Sequence, residues 1–172
     1  MNPFWQNIFR SQGEKNSHVQ LTIRQIRIFK NLSKRELTSV ENIIHIRKYL
    51  IGETIFKVNT PGLGMYIILK GRVSIVGTNN ENKQLVFAKL SDGDFFGEVS
   101  LIDEANRSAT AVASTDCELA AFFRDDLMDI ITKAPKTGNK ILMNLANVIS
   151  RRLKHTSDLL SQQRGEYHTE AL

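Results

Sequence analysis

The strongest constraint on the fold is a hydrophobic alternation, with apolar side chains at every second position, from about residue 47 to about residue 124. Segments rich in β-branched and aromatic residues, such as MYIIL, VSIV, QLVFAKL and ELAAFF, are separated by NTPGLG, KGRV, LSDGD and STDCE. Alternation places the apolar side chains of a strand on one face, and Gly, Pro, Asn and Asp favour tight turns. Many short strands joined by turns predict an antiparallel sandwich, jelly roll or barrel.

Helical patterns flank this region on both sides. Before it, residues 18–46 space their apolar side chains as a helix does, and Ser33 with Glu36 forms a capping-box pattern that begins a helix. After it, the segment RDDLMDIITKAP begins a second helical region that continues to about residue 164. The predicted fold is therefore mainly β with flanking helices: a β-roll or jelly-roll barrel of about eight strands, an N-terminal helical segment and a C-terminal helix.

These patterns divide the chain into four regions. Residues 1–18 are an N-terminal extension, 19–136 the β domain with its N-terminal helices, 137–164 the C-terminal helix and 165–172 a flexible tail. At 172 residues, the chain is long enough to bury the core of one domain.

The C-terminal helix carries an apolar seam with heptad spacing. Its positions recur at alternating intervals of four and three residues: Leu142, Ala146, Ile149, Leu153, Thr156 and Leu160. This spacing is typical of a coiled-coil dimer, but also of a helix that packs on its own barrel, and both interpretations stay open. Three cations crowd the turn next to the polar seam position: Arg151, Arg152 and Lys154.

Composition limits the possible functions. No apolar run approaches the roughly 20 residues of a membrane span, so no such span is expected. The net charge of +5 is spread along the chain without a dense basic run, which gives no support for a nucleic-acid surface. The four histidines are far apart in the sequence, so metal chemistry is not expected. The absence of a signal-peptide pattern and the single Cys117 fit a reducing cytoplasm.

One segment in the late strands, FFGEVSLIDEANRSATAVA at residues 95–113, carries polar residues that strand packing does not explain. A lone carboxylate, Glu98, follows Gly97, and a lone Arg107 comes nine residues later beside small side chains. This segment resembles the phosphate-binding cassette of the cyclic nucleotide-binding domain family, shared by protein kinase A regulatory subunits and catabolite activator proteins. The segment GMYIILKGRVSIV is similar to the family's central strand pair, and the resemblance covers roughly residues 20 to 160.

The resemblance implies a binding module rather than an enzyme, with cAMP or cGMP as its ligand, no cofactor, and a C-terminal helix that forms a lid. It also implies which residues contact the phosphate and ribose: Gly97, Glu98, Val99, Ser100, Arg107, Ser108 and Ala109. Their chemistry agrees, because the guanidinium of Arg107 suits phosphate oxygens and the carboxylate of Glu98 suits a ribose 2′-hydroxyl. The segment GEVSL is expected to form one short helical turn whose N–H groups face the same anion.

Several alternatives stay open for the site. Glu98 and Arg107 also suit a structural ion pair with each other or with neighbours. A domain of the same fold can serve as a protein-interaction module that binds no nucleotide. A cupin-type enzyme has a similar β architecture, but the histidine cluster that its metal would need is not found in this sequence.

The favoured function is a stand-alone cytoplasmic sensor that passes its signal through the C-terminal helix to an unknown protein partner, with a homodimer as one assembly. The ligand cAMP is favoured over cGMP, although Ser108 is compatible with either. The sequence departs from the family at Asn106, where many members have proline, and it ends soon after the C-terminal helix. No DNA-binding helix-turn-helix is therefore expected within it.

Overall fold

A computed structural model describes the backbone of residues 19–78 and 83–169 and the side chains of this part as far as Ser161. The expected N-terminal extension, residues 1–18, lies outside the described residues, as do residues 170–172 at the end of the expected tail.

Helices lie at both ends of the described chain, and strands occupy its middle. Residues 19–25 are helical. The further helical elements are a 3-10 turn at Arg27–Phe29, helix α1 at Lys34–Glu41, a 3-10 turn at Glu98–Leu101, α2 at Arg124–Lys133 and α3 at Pro135–Thr169. The strands are β1 at His45–Tyr49, β2 at Thr54–Phe56, β3 at Gly64–Lys70, β4 at Val73–Thr78, β5 at Gln84–Leu90, β6 at Phe95–Phe96, β7 at Thr110–Ala113 and β8 at Cys117–Phe123.

The strands form two four-stranded antiparallel sheets. The first sheet has the order β1-β8-β3-β6, and the second has the order β2-β7-β4-β5. Representative pairs are Ile67 with Ala120 in the first sheet and Ile75 with Ala111 in the second. The mainly β fold with flanking helices is therefore confirmed, as a β-roll of two sheets rather than one closed barrel.

Two hydrophobic clusters lie on opposite faces of the first sheet. One fills the space between the sheets and includes Ile68, Phe96 and Leu119. The other joins the first sheet to the helices and includes Met65 and Phe122. Side chains of β3 alternate between the two clusters, which is why its sequence is almost continuously apolar.

The predicted capping box at the start of α1 is present and also anchors the C-terminal helix. The Ser33 Oγ accepts from the Glu36 N–H, and a Glu36 carboxylate oxygen accepts from the Ser33 N–H at 2.6 Å. The same carboxylate accepts from Lys140 Nζ at 2.8 Å and from the Thr137 hydroxyl at 3.1 Å. The hydrogen bonds of the Lys140 ammonium and the neighbouring backbone lower the pKa of Glu36 from 4.5 to about 2.

The C-terminal helix, α3, is longer than expected. It begins at Pro135 rather than near residue 137 and continues to Thr169, so residues 165–169, which we expected in the tail, are helical. Proline favours the first turn of a helix, and the one glycine near the end, Gly165, costs only about 1 kcal/mol in a helix interior. The helix therefore ends five residues later than predicted.

The face of α3 that packs on the domain lies beside the predicted seam. Its buried residues are Ile141, Leu145 and Val148. Of the seam, Leu142 and Ile149 are half-buried against the same core, whereas Leu153 and Leu160 are 69% and 56% exposed. The first half of the seam thus packs within the chain through Leu142 and Ile149, although Ala146 between them is exposed, and the second half faces outward. No helix in the described residues is both long and apolar enough to cross a membrane.

Candidate functional site

A tight turn brings Gly97 and Arg107 of the candidate segment together. Gly97 adopts a left-handed conformation with φ of 74° at the start of the 3-10 turn Glu98–Leu101, which confirms the expected short helical turn. A Cβ atom on Gly97 would lie 2.5 Å from Nη1 of Arg107. Glycine is therefore required there both by the backbone conformation and by the approach of the arginine.

Arg107 is fixed at the centre of this site. Its side chain donates from Nη1 to the Gly97 carbonyl at 3.2 Å and to the Ser100 hydroxyl at 2.9 Å, and from Nη2 to the Gly64 carbonyl at 2.7 Å. The guanidinium carbon lies 4.0 Å from the centre of the Phe56 ring. The residue is only 7% exposed, so its orientation is set by the protein rather than by solvent.

The charge of Arg107 has no anionic partner. All three acceptors are neutral, no ion pair to this arginine is present in the described residues, and its buried Nε has no hydrogen-bond partner. Burial lowers the pKa of Arg107, although Tyr66 and Glu98 act in the opposite direction. A buried cation without a counter-charge is costly, so this arrangement favours the binding of an anion.

Glu98 forms its ion pair with the C-terminal helix. Glu98 is only 4% exposed. Its carboxylate accepts a hydrogen bond from Arg152 Nη1 at 2.7 Å. Arg152 also donates to the Phe95 carbonyl at 3.0 Å and lies 4.9 Å above the Phe95 ring. Of the ion pairs that the sequence left open for Glu98, the structure therefore shows one with a neighbour, Arg152, rather than with Arg107.

Arg152 is the functional candidate that sequence reasoning missed. The sequence places it among three cations in one turn, and it lies 54 residues from Glu98 along the chain. Nothing in the local pattern distinguishes Arg152 from Arg151 or Lys154. The signal in the sequence was the lone carboxylate of Glu98. A buried carboxylate requires a cationic partner, which a distant element could supply.

The remaining candidate residues differ in position. Ser100 is buried and holds Arg107, and Ala109 is 8% exposed. Val99 is 47% exposed and Ser108 is also exposed, so both face outward. The structure thus joins Gly97, Glu98, Ser100 and Arg107 into one packed site.

Aromatic side chains support this site from within the roll. The Phe56, Tyr66 and Phe96 rings contact one another, with centres 5.6 to 6.0 Å apart. Burial, together with the neighbouring Tyr66, raises the pKa of Tyr49 to about 12. Phe56 of this aromatic group lies against Arg107 and gives it an apolar floor, which strengthens its interaction with any anion above it.

A two-sheet β-roll that holds a buried guanidinium without an ion pair beside a short turn is suited to bind an anion. The model of the family described as "Cyclic nucleotide-binding domain" matches residues 46–134, which is just over half of the chain. The chain therefore belongs to the cyclic nucleotide-binding domain family, and it is a binding module rather than an enzyme.

Individual relatives agree with this assignment. The chain is 35% identical over 137 residues to the Cyclic AMP receptor protein of Thermus thermophilus, covering 78% of this chain and 62% of the relative. It is 27% identical to the cAMP-dependent protein kinase regulatory subunit of Mycosarcoma maydis, covering 87% of this chain and 27% of the relative.

A solved cyclic nucleotide-binding domain from Methylobacillus flagellatus matches with a TM-score of 0.76 at 25% identity, covering 87% of this chain and 84% of that one. Each of the two curated relatives is longer than the region it shares with this chain, which spans 62% and 27% of their lengths.

Proposed function

We propose that this chain is a cytoplasmic sensor that binds a cyclic mononucleotide, with cAMP preferred to cGMP, and passes the signal through its C-terminal helix to a protein partner. The observation that carries the proposal is the ion pair between Glu98 of the candidate site and Arg152 of α3, at 2.7 Å. Through this contact, a change at the site reaches the C-terminal helix directly.

The phosphate part of the ligand would meet Arg107. A cyclic phosphodiester carries one negative charge, and Arg107 is a buried cation that lacks a counter-charge. Three of its five N–H donors are used by neutral acceptors, which leaves two for phosphate oxygens. The adjacent 3-10 turn begins at Glu98, and its first backbone N–H groups would add donors for the same anion.

The ribose part would meet Glu98, where it encounters Arg152. A ribose 2′-hydroxyl can donate to the Glu98 carboxylate, of which Oε1 already accepts from Arg152. The ligand must therefore share this carboxylate with Arg152 or displace it. In either case, the ligand changes the free energy of the contact between α3 and the site. A ligand that binds two conformations with different affinity shifts the equilibrium between them.

The preference for cAMP is supported by the names of relatives, a cyclic AMP receptor protein and a cAMP-dependent kinase regulatory subunit. The cytoplasmic location is supported by the single Cys117, which is buried and forms no disulfide.

A homodimer through α3 is part of the same proposal. The outward half of the seam presents Leu153, Thr156 and Leu160, which are all exposed. A second copy of this chain offers the same heptad stripe, and like stripes pack as a parallel pair. Arg152, which contacts Glu98, lies on the same helix as this stripe. Dimer formation and ligand binding would therefore influence each other.

A protein-interaction module that binds no nucleotide is the alternative. The observation in its favour is that Glu98 and Arg107 already have partners within the protein. In that case the two residues would stabilise the turn without taking a ligand.

Calorimetric titration with cAMP, cGMP and 5′-AMP separates these functions. A ligand of about 22 heavy atoms at about −0.3 kcal/mol per atom gives roughly −6.6 kcal/mol, which corresponds to micromolar cAMP binding. We expect weaker binding of cGMP and still weaker binding of 5′-AMP. Heat-silent titrations with both cyclic nucleotides, together with an unchanged melting temperature, would support the alternative.

A further inference from the structure

A second cleft lies away from Glu98 and Arg107, between the 3-10 turn Arg27–Phe29 and the C-terminal helix. Its volume is about 400 Å³, and its lining includes three basic side chains, Arg27, Lys30 and Arg151. The side chains of Asn31 and Asn147 lie beside them. The cleft therefore combines positive charge with neutral hydrogen-bonding groups in a volume typical of small-molecule sites.

The walls of this cleft are fixed relative to each other. Nδ2 of Asn144 donates to the Ile28 carbonyl at 3.1 Å and to the Lys30 carbonyl at 2.6 Å, which ties the turn to α3. Val148, only 7% exposed, lines the cleft and packs into the hydrophobic core. The cations are thus carried on a rigid scaffold, although their own side chains reach into solvent.

The charge in this cleft is not neutralised by the protein. In the part of the chain that the structure describes, Arg27, Lys30 and Arg151 form no ion pair, whereas nearby cations such as Arg152 do. An adjoining cleft of about 370 Å³ shares Arg27 and Arg151 and is also lined by the carboxylate of Asp94.

That carboxylate is already engaged within its own loop. Oδ2 of Asp94 accepts from the Ser91 N–H at 2.9 Å, in the turn before β6. The hydrogen-bonded carboxylate keeps its charge, so Asp94 offsets at most one of the three cations. The cleft keeps a net positive charge, which favours an anion with more than one charge.

We propose that this cleft binds a small phosphate-bearing anion of at least two negative charges, at a site separate from Glu98 and Arg107. Two of the three cations are arginines. A guanidinium group can donate two parallel hydrogen bonds to the oxygens of one phosphate group. A cleft bounded by two fixed elements suits a free small molecule better than the flat surface of a macromolecule. The proposal does not depend on cyclic nucleotide binding.

Inorganic pyrophosphate is the probe, titrated into the full chain by calorimetry at low ionic strength without nucleotide. Arg27→Gln and Arg151→Gln should each weaken pyrophosphate binding about tenfold or more, as expected for the loss of a charged hydrogen bond. The matched control is Arg35→Gln, because Arg35 is an exposed arginine of α1 that lines neither cleft. Binding should also slow hydrogen exchange in residues 27–31 and 144–151, since the anion joins both elements.

Three further ligands test the chemical class. Sulfate at matched ionic strength should bind more weakly than pyrophosphate, as should a short oligo-aspartate peptide and vesicles that carry phosphorylated headgroups. Equal affinity in all three arginine variants would overturn the proposal, as would tighter binding of the peptide or the vesicles. No pyrophosphate binding to the parent chain would also overturn it, whatever the result with cAMP.

Discussion

At the scale of single residues, the site is organised around one buried guanidinium that the protein holds without neutralising. Arg107 has three neutral acceptors and an aromatic floor, but no carboxylate within ion-pair distance in the described residues. Replacing it with leucine removes the cation that a bound phosphate would need. We expect Arg107→Leu to weaken cAMP binding by about 2–5 kcal/mol, because the phosphate charge would be buried unpaired.

Calorimetry on both variants checks this expectation, with Arg35→Leu as the control that removes an exposed arginine of α1. Circular dichroism confirms that each variant is folded. Equal affinities of Arg107→Leu and the parent would show that the arginine is structural.

Glu98→Gln is a smaller change at the same site. The amide keeps an acceptor oxygen but loses the charge, so we expect a loss of about 1–2 kcal/mol in cAMP binding, near the value of one hydrogen bond. The parent should discriminate against 2′-deoxy-cAMP, and the variant should discriminate less. If the substitution weakens both ligands equally, Glu98 does not contact the ribose.

The candidate residues Gly97, Glu98 and Arg107 could be predicted from the sequence, but Arg152, the ion-pair partner of Glu98, could not. Gly97, Glu98 and Arg107 follow each other in a local pattern, and the structure joins them within one turn and its neighbour. Arg152 reaches Glu98 because α3 packs into the hydrophobic cluster that joins the helices to the first sheet, and the three cations on that turn are equivalent in the sequence. Contacts between distant elements depend on packing, which periodicity does not specify.

At the scale of elements, the C-terminal helix carries both buried and exposed apolar residues. Ile141, Leu145 and Val148 are buried in the domain, whereas Leu153 and Leu160 are exposed further along the helix. Heptad spacing alone could not separate these two sets, because they lie on neighbouring faces of one helix. The strands were easier to predict, since an alternating pattern admits few other structures.

Leu153→Lys tests the dimer through the outward half of the seam. We expect this variant to remain folded, since Leu153 is 69% exposed, but to lose the dimer because two lysines would face each other in the seam. Sedimentation equilibrium measures the mass. Ser161→Lys introduces the same charge at an exposed position outside the seam and should leave the mass unchanged. A parent chain that is monomeric at high concentration would contradict the proposal.

At the scale of the whole molecule, two ionic contacts among the described residues connect α3 to the rest of the domain. One joins Arg152 to the candidate site, and the other joins Lys140 to Glu36 at the start of α1. The pKa of Glu36 falls from 4.5 to about 2 in the folded protein, so its contribution to stability is present above pH 4.5 and is lost as the pH falls towards 2.

Glu36→Gln should therefore reduce the free energy of unfolding by about 1 kcal/mol at neutral pH, the usual value of a helix cap. The difference from the parent should narrow as the pH falls from 4.5 to 2, because the parent carboxylate becomes protonated. Urea unfolding across this range measures it. Glu104→Gln, at an exposed ion pair with Arg124, should change stability by less than about 0.5 kcal/mol. A difference that does not vary with pH would exclude the ionised carboxylate as the cause.

The central claim, that the ligand site and the C-terminal helix are coupled through Glu98 and Arg152, is tested most directly by hydrogen exchange in residues 140–160. Saturating cAMP should slow exchange there in the parent chain, because the ligand changes the contact that holds α3 at the site. Arg152→Gln should still bind cAMP but show a smaller change. Unchanged exchange in the parent, under conditions where calorimetry shows cAMP to be bound, would contradict the account.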